Sequence, residues 1–213
     1  MSHLLRSAGR KLLNALRRRG GQTEERFQRL DLAYVILVSE EVHNYMRRLQ
    51  VGMLREYGAS FGIEVSPHIT LKQAFEVREI EPFERYFDRL VAEIEPFEII
   101  VRGVGVFDDG VIFMDVARNG VLDSLRKRII RDLSTEFGVR PNDLEDDRYH
   151  FHATLAKGLS PASLERARRA LEGIPVEFRF VCDTLGLLAH TGAAWITYKR
   201  SGIVRAKSYQ AQP

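Results

Sequence analysis

The distribution of apolar and polar positions along the chain predicts most of its elements. Residues 32–38 are apolar and rich in β-branched side chains, the pattern of a strand. Ser39 follows as an N-cap, and Tyr45, Met46 and Leu49 stripe a helix that runs toward Tyr57. Residues 67–75 read as a second strand, after which Phe83, Phe87, Leu90, Val91 and Ile94 mark the buried face of a second helix. Residues 97–106 and 111–116 are two strands around Asp108-Asp109-Gly110, a hairpin-turn sequence. Leu122, Leu125, Ile129 and Leu133 recur at helical spacing and predict a third helix ending at Gly138. Residues 149–156 form a strand, Ser160-Pro161 opens a fourth helix, and 176–188 and 194–198 are the last strands. The order β α β α β β α β α β β lacks the strict alternation of a doubly wound parallel sheet. The expected class is therefore α+β with antiparallel pairing. A strand–helix–strand unit ending at 67–75 is echoed by one ending at 149–156.

Composition narrows the picture. The 213 residues are 45% hydrophobic, with 12 Phe and 7 Tyr, enough apolar mass for one domain-sized core and too much for extensive disorder. Cys182 is the sole cysteine, which excludes an intramolecular disulfide framework and a cysteine-based zinc cage and argues for a reducing compartment. No apolar run reaches the length of a membrane span. The net charge of +3 is unevenly placed: residues 1–21 hold six of the 32 basic residues and no acid, so the remaining 26 face all 29 acids for a net of −3. Overall basicity thus says little about nucleic-acid binding by the folded body.

Between those six cations, Leu4, Leu5, Ala8, Leu12, Leu13 and Leu16 recur at helical spacing up to Gly20-Gly21. This basic amphipathic helix reads as a membrane-surface anchor, a nucleic-acid arm or an organellar transit-like segment, with a solvated tail as the competing reading. No apolar h-region follows it, which argues against a signal peptide. The expected organisation is an amphipathic N-terminal extension over 1–30, a folded domain over 31–204 and a C-terminal tail over 205–213. A cytoplasmic monomer is expected, recruited to a membrane surface or to nucleic acid only through residues 1–21.

The chemistry lies in the two echoing strands. One reads Pro67-His68-Ile69-Thr70-Leu71 and the other Phe151-His152-Ala153-Thr154-Leu155, so both contain His-x-Thr-Leu. Residues i and i+2 share a face of a strand, so His68 and Thr70 project together, away from Ile69 and Leu71. The same holds for His152 and Thr154 against Ala153 and Leu155. Two imidazoles on facing strands allow one to take a proton from an attacking hydroxyl while the other protonates a leaving oxygen. Thr70 and Thr154 can donate to the non-bridging oxygens of a phosphoryl group. Lys72 and Lys157 follow the motifs at what look like equivalent positions and are read as further phosphate-binding residues. No carboxylate cluster at ligand spacing calls for a metal, and no cofactor is expected. Tyr34, Phe107 and Tyr149 are candidates to stack a base, with core packing as the competing reading of each. Arg148, Tyr149 and His150 are expected at the rim of the site.

Paired His-x-Thr strands about 80 residues apart in an α+β chain resemble the 2H phosphoesterase superfamily. Within it, the chain is most similar to the 2′–5′ RNA ligase and RNA 2′,3′-cyclic phosphodiesterase group. The resemblance covers roughly residues 31–204 and includes Leu185-Gly186-Leu187-Leu188 and Trp195-Ile196-Thr197-Tyr198. It implies two pseudo-symmetric lobes around a cleft, with His68, Thr70, His152 and Thr154 acting on 2′,3′-cyclic phosphates or 2′–5′ linkages. It further implies a nucleotide or RNA end as substrate, a role in RNA processing, and a reverse RNA ligase activity. One departure is His150-Phe151-His152, where a proline commonly introduces the second motif. His150 is read as touching substrate, as perturbing His152 by like charge, as a rim residue, or as half of a His-x-His metal pair. The competing class is a non-catalytic nucleotide-binding or membrane-recruited module, which expects one motif to be eroded.

Overall fold

The computed structural model of this protein describes residues 30–203; the helix expected over 1–21 and the tail over 205–213 lie outside the described residues. β1 (Leu30–Leu37) leads through Ser39, whose hydroxyl accepts from the Val42 N–H, into α1 (Glu40–Tyr57). A four-residue helix, α2 (Phe61–Glu64), precedes β2 (His68–Val77). No periodicity in the sequence announces α2, since four residues complete barely one turn. In α3 (Glu81–Glu93), Phe83, Phe87, Leu90 and Val91 are buried, as their spacing requires. β3 (Phe97–Val106) and β4 (Ile112–Val116) are joined at Gly110, whose φ of 83° is readily adopted only by glycine, and whose N–H donates to the Phe107 carbonyl at 2.8 Å. α4 (Gly120–Phe137) is N-capped by Asn119, ends at Gly138 and buries Leu122, Leu125, Ile129 and Leu133. β5 (His152–Ala156), α5 (Pro161–Leu171) with Ser160 as its N-cap, β6 (Glu177–Cys182), β7 (Thr184–His190) and β8 (Trp195–Gly202) complete the described chain.

Two expectations are corrected. β5 starts at His152 instead of 149: Tyr149 O accepts from Arg118 Nη2 and His150 O from His152 Nδ1, both at 2.8 Å, while Phe151 O still accepts from Val116 N–H at 3.1 Å. The apolar stretch 176–188 is not one strand. It breaks at Asp183 into β6 and β7, which enter different sheets, and the Asp183 carbonyl accepts from Ile203 N–H at 2.6 Å instead of continuing a ladder.

All strand pairs are antiparallel, in two four-stranded sheets ordered β2-β1-β7-β8 and β5-β4-β3-β6. Each His-x-Thr strand is an edge strand of its sheet, β2 beside β1 and β5 beside β4. The two edges, β2 and β5, lie against each other. Helices cross between the halves, α1 packing on β5 and α4 on β2. One apolar core runs through both sheets, so the lobes share a single hydrophobic interior. A smaller apolar group, Ala33, Val35, Val65 and Leu188, covers the opposite face of the first sheet.

Candidate active site

Burial follows the alternation of the motifs. Ile69, Leu71, Ala153 and Leu155 are in the core, whereas His68, Thr70, His152 and Thr154 are half-buried. All four polar side chains line one cleft of about 870 Å³, together with Lys157, Trp195 and the Asp108-Asp109 turn.

The alternation then breaks, at the same place in both strands. Val35 pairs with Thr70 and Tyr34 with Lys72, leaving Leu71 as an extra residue in β2. Phe113 pairs with Thr154 and Ile112 with Ala156, leaving Leu155 as an extra residue in β5. A bulge advances the chain by one position and reverses which face each later residue takes. Lys72 therefore corresponds to Ala156, and both are buried; Gln73 corresponds to Lys157, and both line the cleft. The expected equivalence of Lys72 and Lys157 is thus corrected. Lys72 is 1% exposed, with its Nζ 2.7 Å from Glu145 Oε2, and it does not reach the cleft. A buried ammonium needs such a partner, and this one has it in the protein and not in a substrate phosphate.

The imidazoles are held alike. His68 Nδ1 is 2.7 Å from the Ser66 carbonyl oxygen, and His152 Nδ1 is 2.8 Å from the His150 carbonyl oxygen. A carbonyl only accepts, so each Nδ1 carries a proton and donates it. Nε2 is left on each ring as the atom that exchanges a proton. Phe107 and Phe113, stacked 4.0 Å apart, meet the His152 ring in edge contacts at 4.9 and 5.5 Å and fix its plane.

Burial holds both imidazoles below the ordinary 6.5. For His68, desolvation leads, the bond to Ser66 opposes it, and charge on His152 lowers the value further. For His152, desolvation again leads; the His150 carbonyl bond opposes it, charge on His150 adds to the lowering, and Asp109 and Asp115 work against it. Each ring is therefore neutral near pH 7, and a proton on one disfavours a proton on the other.

The remaining expected residues divide. Lys157 is exposed, with its ammonium 4.8 Å from the Phe61 ring centroid, and it lines the cleft. Arg148, Tyr149 and His150 line it too. The Arg148 side chain is 92% exposed and bonded to Asp146 at 2.8 Å, and His150 Nε2 sits 2.7 Å from Asp115 Oδ1. Tyr149 is buried and its hydroxyl donates to the Thr70 carbonyl at 3.0 Å, so it braces the site and offers no open face to a base. Tyr34 is a core residue donating to Phe83 O at 2.9 Å, whereas Phe107 faces the cleft. The sequence reading missed Gln73, which the bulge turns inward, and the rim acids Asp108, Asp109, Asp143 and Asp146, which sit in turns without a motif. Among the described residues, no three His, Cys, Asp or Glu side chains gather closely enough to hold a metal ion.

The sequence model of the 2′-5′ RNA ligase superfamily matches residues 38–194. No curated protein matches the sequence. Among solved structures, E. coli LigT in complex with 3′-AMP superposes with a TM-score of 0.59 at 17% identity, covering 83% of this chain and 99% of that one. A protein described as a phosphoesterase gives a TM-score of 0.53 at 18% identity over 82% of this chain and 98% of its own. A protein of Thermus thermophilus gives 0.52 at 17% identity over 81% and 97%. At these identities the likeness is one of fold.

Proposed function

The chain belongs to the 2′-5′ RNA ligase superfamily, the 2H phosphoesterases, and on that premise we propose that it is a metal-independent phosphodiesterase acting on 2′,3′-cyclic phosphate or 2′–5′ linked nucleotide and RNA ends. The observation that carries this reading is the matched pair of Nδ1–carbonyl bonds at His68 and His152, which leaves two equivalent Nε2 atoms for one cleft. For a cyclic phosphate, one neutral Nε2 takes a proton from water as its oxygen forms a bond to phosphorus. The other, protonated, Nε2–H gives its proton to the ribose oxygen whose bond to phosphorus breaks. The products are a ribose hydroxyl and a phosphomonoester, and the two imidazoles end with their protonation states exchanged. With a ribose 5′-hydroxyl in place of water, the same step opens the cyclic phosphate to a 2′–5′ phosphodiester and frees the 3′-hydroxyl; this ligation is the reverse of cleaving a 2′–5′ linkage to a cyclic phosphate, and the same pair runs both directions. Thr70 and Thr154 are assigned to the non-bridging oxygens and Lys157 to the charge that builds on them; Lys72 has no such role.

The rim favours short substrates. Asp108, Asp109 and Asp143 line the cleft against Lys157, with Asp146 and Arg148 paired to each other, and such a field repels a long polyanion. E. coli LigT has been solved with 3′-AMP, with ATP and with NADP+, which supports a nucleotide-sized occupant for this cleft. A non-catalytic module expects one eroded motif, and here both motifs are intact and similarly held.

The test is turnover, with EDTA present, of nucleoside 2′,3′-cyclic monophosphates, 2′–5′ dinucleotides, and short and long RNAs ending in a cyclic phosphate. The expected result is EDTA-insensitive hydrolysis with kcat/KM falling as the RNA lengthens, most steeply at low salt. A folded protein that turns over none of these substrates contradicts the proposal.

A further inference from the structure

β2 and β5 are edge strands of different sheets, so neither ladder sets the distance between His68 and His152. What spans the gap is a set of contacts between the halves, aimed at the motif threonines' own backbone. The Tyr149 hydroxyl, in the segment leading to His152, donates to the Thr70 carbonyl at 3.0 Å. Reciprocally, the Gln50 side-chain amide, on α1 of the first unit, donates to the Thr154 carbonyl at 3.1 Å. Each motif thus has one main-chain oxygen held by a donor from the other half.

Both donors are themselves fixed. Gln50 is 1% exposed and accepts from Arg47 Nη1 at 3.1 Å. The same guanidinium donates to the carbonyls of Gly62, Ile63 and Val65, the turn that delivers His68. Gly62 is pressed so closely on β5 that a Cβ there would lie 2.2 Å from the Leu155 carbonyl oxygen. The Tyr149 ring lies over the buried Arg126 guanidinium at 4.1 Å. Four residues before Tyr149, the Glu145 carboxylate accepts from Lys72 Nζ at 2.7 Å, Gln73 N–H at 2.8 Å and Asn142 N–H at 3.0 Å, tying the loop to the free edge of β2.

We propose that Gln50, Tyr149 and the Lys72–Glu145 pair are positioning residues that set the separation of the two imidazoles; Tyr149 also lies beside the His152 ring, with 6.4 Å between ring centroids. The proposal rests on the paired-histidine reading above. Proton transfer at two ends of one phosphoryl group requires both Nε2 atoms within roughly 2.6–3.2 Å of their oxygens. A displacement of about 1 Å costs on the order of a hundredfold. An edge-to-edge gap closed by three hydrogen bonds and an ion pair is where such a displacement arises.

Tyr149→Phe keeps the ring on Arg126 and removes only the donor; Gln50→Met removes the amide at nearly constant length. Each is expected to lower kcat about tenfold to a hundredfold, with KM changed less than about twofold and the thermal midpoint nearly unmoved. In a His152→Ala background, Tyr149→Phe is expected to leave the residual rate unchanged, because its effect passes through that imidazole. An arm that needs no turnover is NMR titration of the rings: separating them relieves the effect of His152 on His68, so the His68 midpoint rises in Tyr149→Phe. Wild-type kcat and an unmoved His68 midpoint in both variants overturn the proposal, as does an equal loss in the His152→Ala background. If wild type turns over no substrate, the paired-histidine reading fails, and the titration alone decides whether the brace sets the separation.

Discussion

A histidine that donates Nδ1–H to a carbonyl two residues earlier has only Nε2 left for chemistry, and here this local arrangement occurs at His68 and again at His152. Its consequence is legible in pH. The base must be neutral, and that limb is lost as pH falls through its value; the acid must be protonated, and that limb is lost as pH rises through its own. Burial lowers both values from 6.5, so both limbs move down together. The kcat/KM profile on a small cyclic nucleotide is expected to be a bell centred on the acid side of pH 7, with apparent values that belong to the pair. A steady-state profile from about pH 4.5 to 9 checks it, and an optimum on the alkaline side contradicts it. The faces of these four motif residues were readable in the sequence because the i, i+2 rule operates within one unbroken strand. For Lys72 the rule failed one residue past its reach, at the Leu71 bulge.

At the level of elements, the two bulges decide which cation serves the cleft. The lysines follow their histidines by four and five residues, so the spacing already matches Lys72 with Ala156 and Gln73 with Lys157; what it concealed is the bulge that buries the first pair and turns the second to the cleft. The two lysines should therefore separate experimentally. Lys72→Met leaves the Glu145 carboxylate buried without its ammonium and is expected to cost about 3–5 kcal/mol of stability, in part recovered by adding Glu145→Gln. Lys157→Met, at an exposed position, is expected to leave stability within about 0.5 kcal/mol and to lower kcat/KM. Urea denaturation beside steady-state kinetics distinguishes them; a stable Lys72→Met with impaired phosphate binding would restore the sequence reading. Helix boundaries were easier to read than this, since Ser39, Ser160 and Gly138 mark ends by local hydrogen bonding that the residue types announce. The division of 176–188 at Asp183 was not readable, because β6 and β7 carry similar apolar composition and differ only in the sheet they join.

For the whole molecule, the echo of two strand–helix–strand units was visible in the sequence, and the family resemblance implied two lobes. Their relation was not visible. That α1 packs on β5, that α4 packs on β2, and that Tyr149 and Gln50 reach carbonyls 79 and 104 residues away are outcomes of tertiary packing that no local pattern encodes. This relation makes two half-sites into one cleft, so the account stands on both histidines acting as a unit. The most direct measurement is kcat on a nucleoside 2′,3′-cyclic phosphate for wild type, His68→Ala, His152→Ala and the double variant, with denaturation midpoints for each. The account predicts that each single variant loses about 10²–10⁴-fold with the fold intact, and that the double variant loses little more than the worse single one. Near-wild-type turnover by either single variant would contradict it.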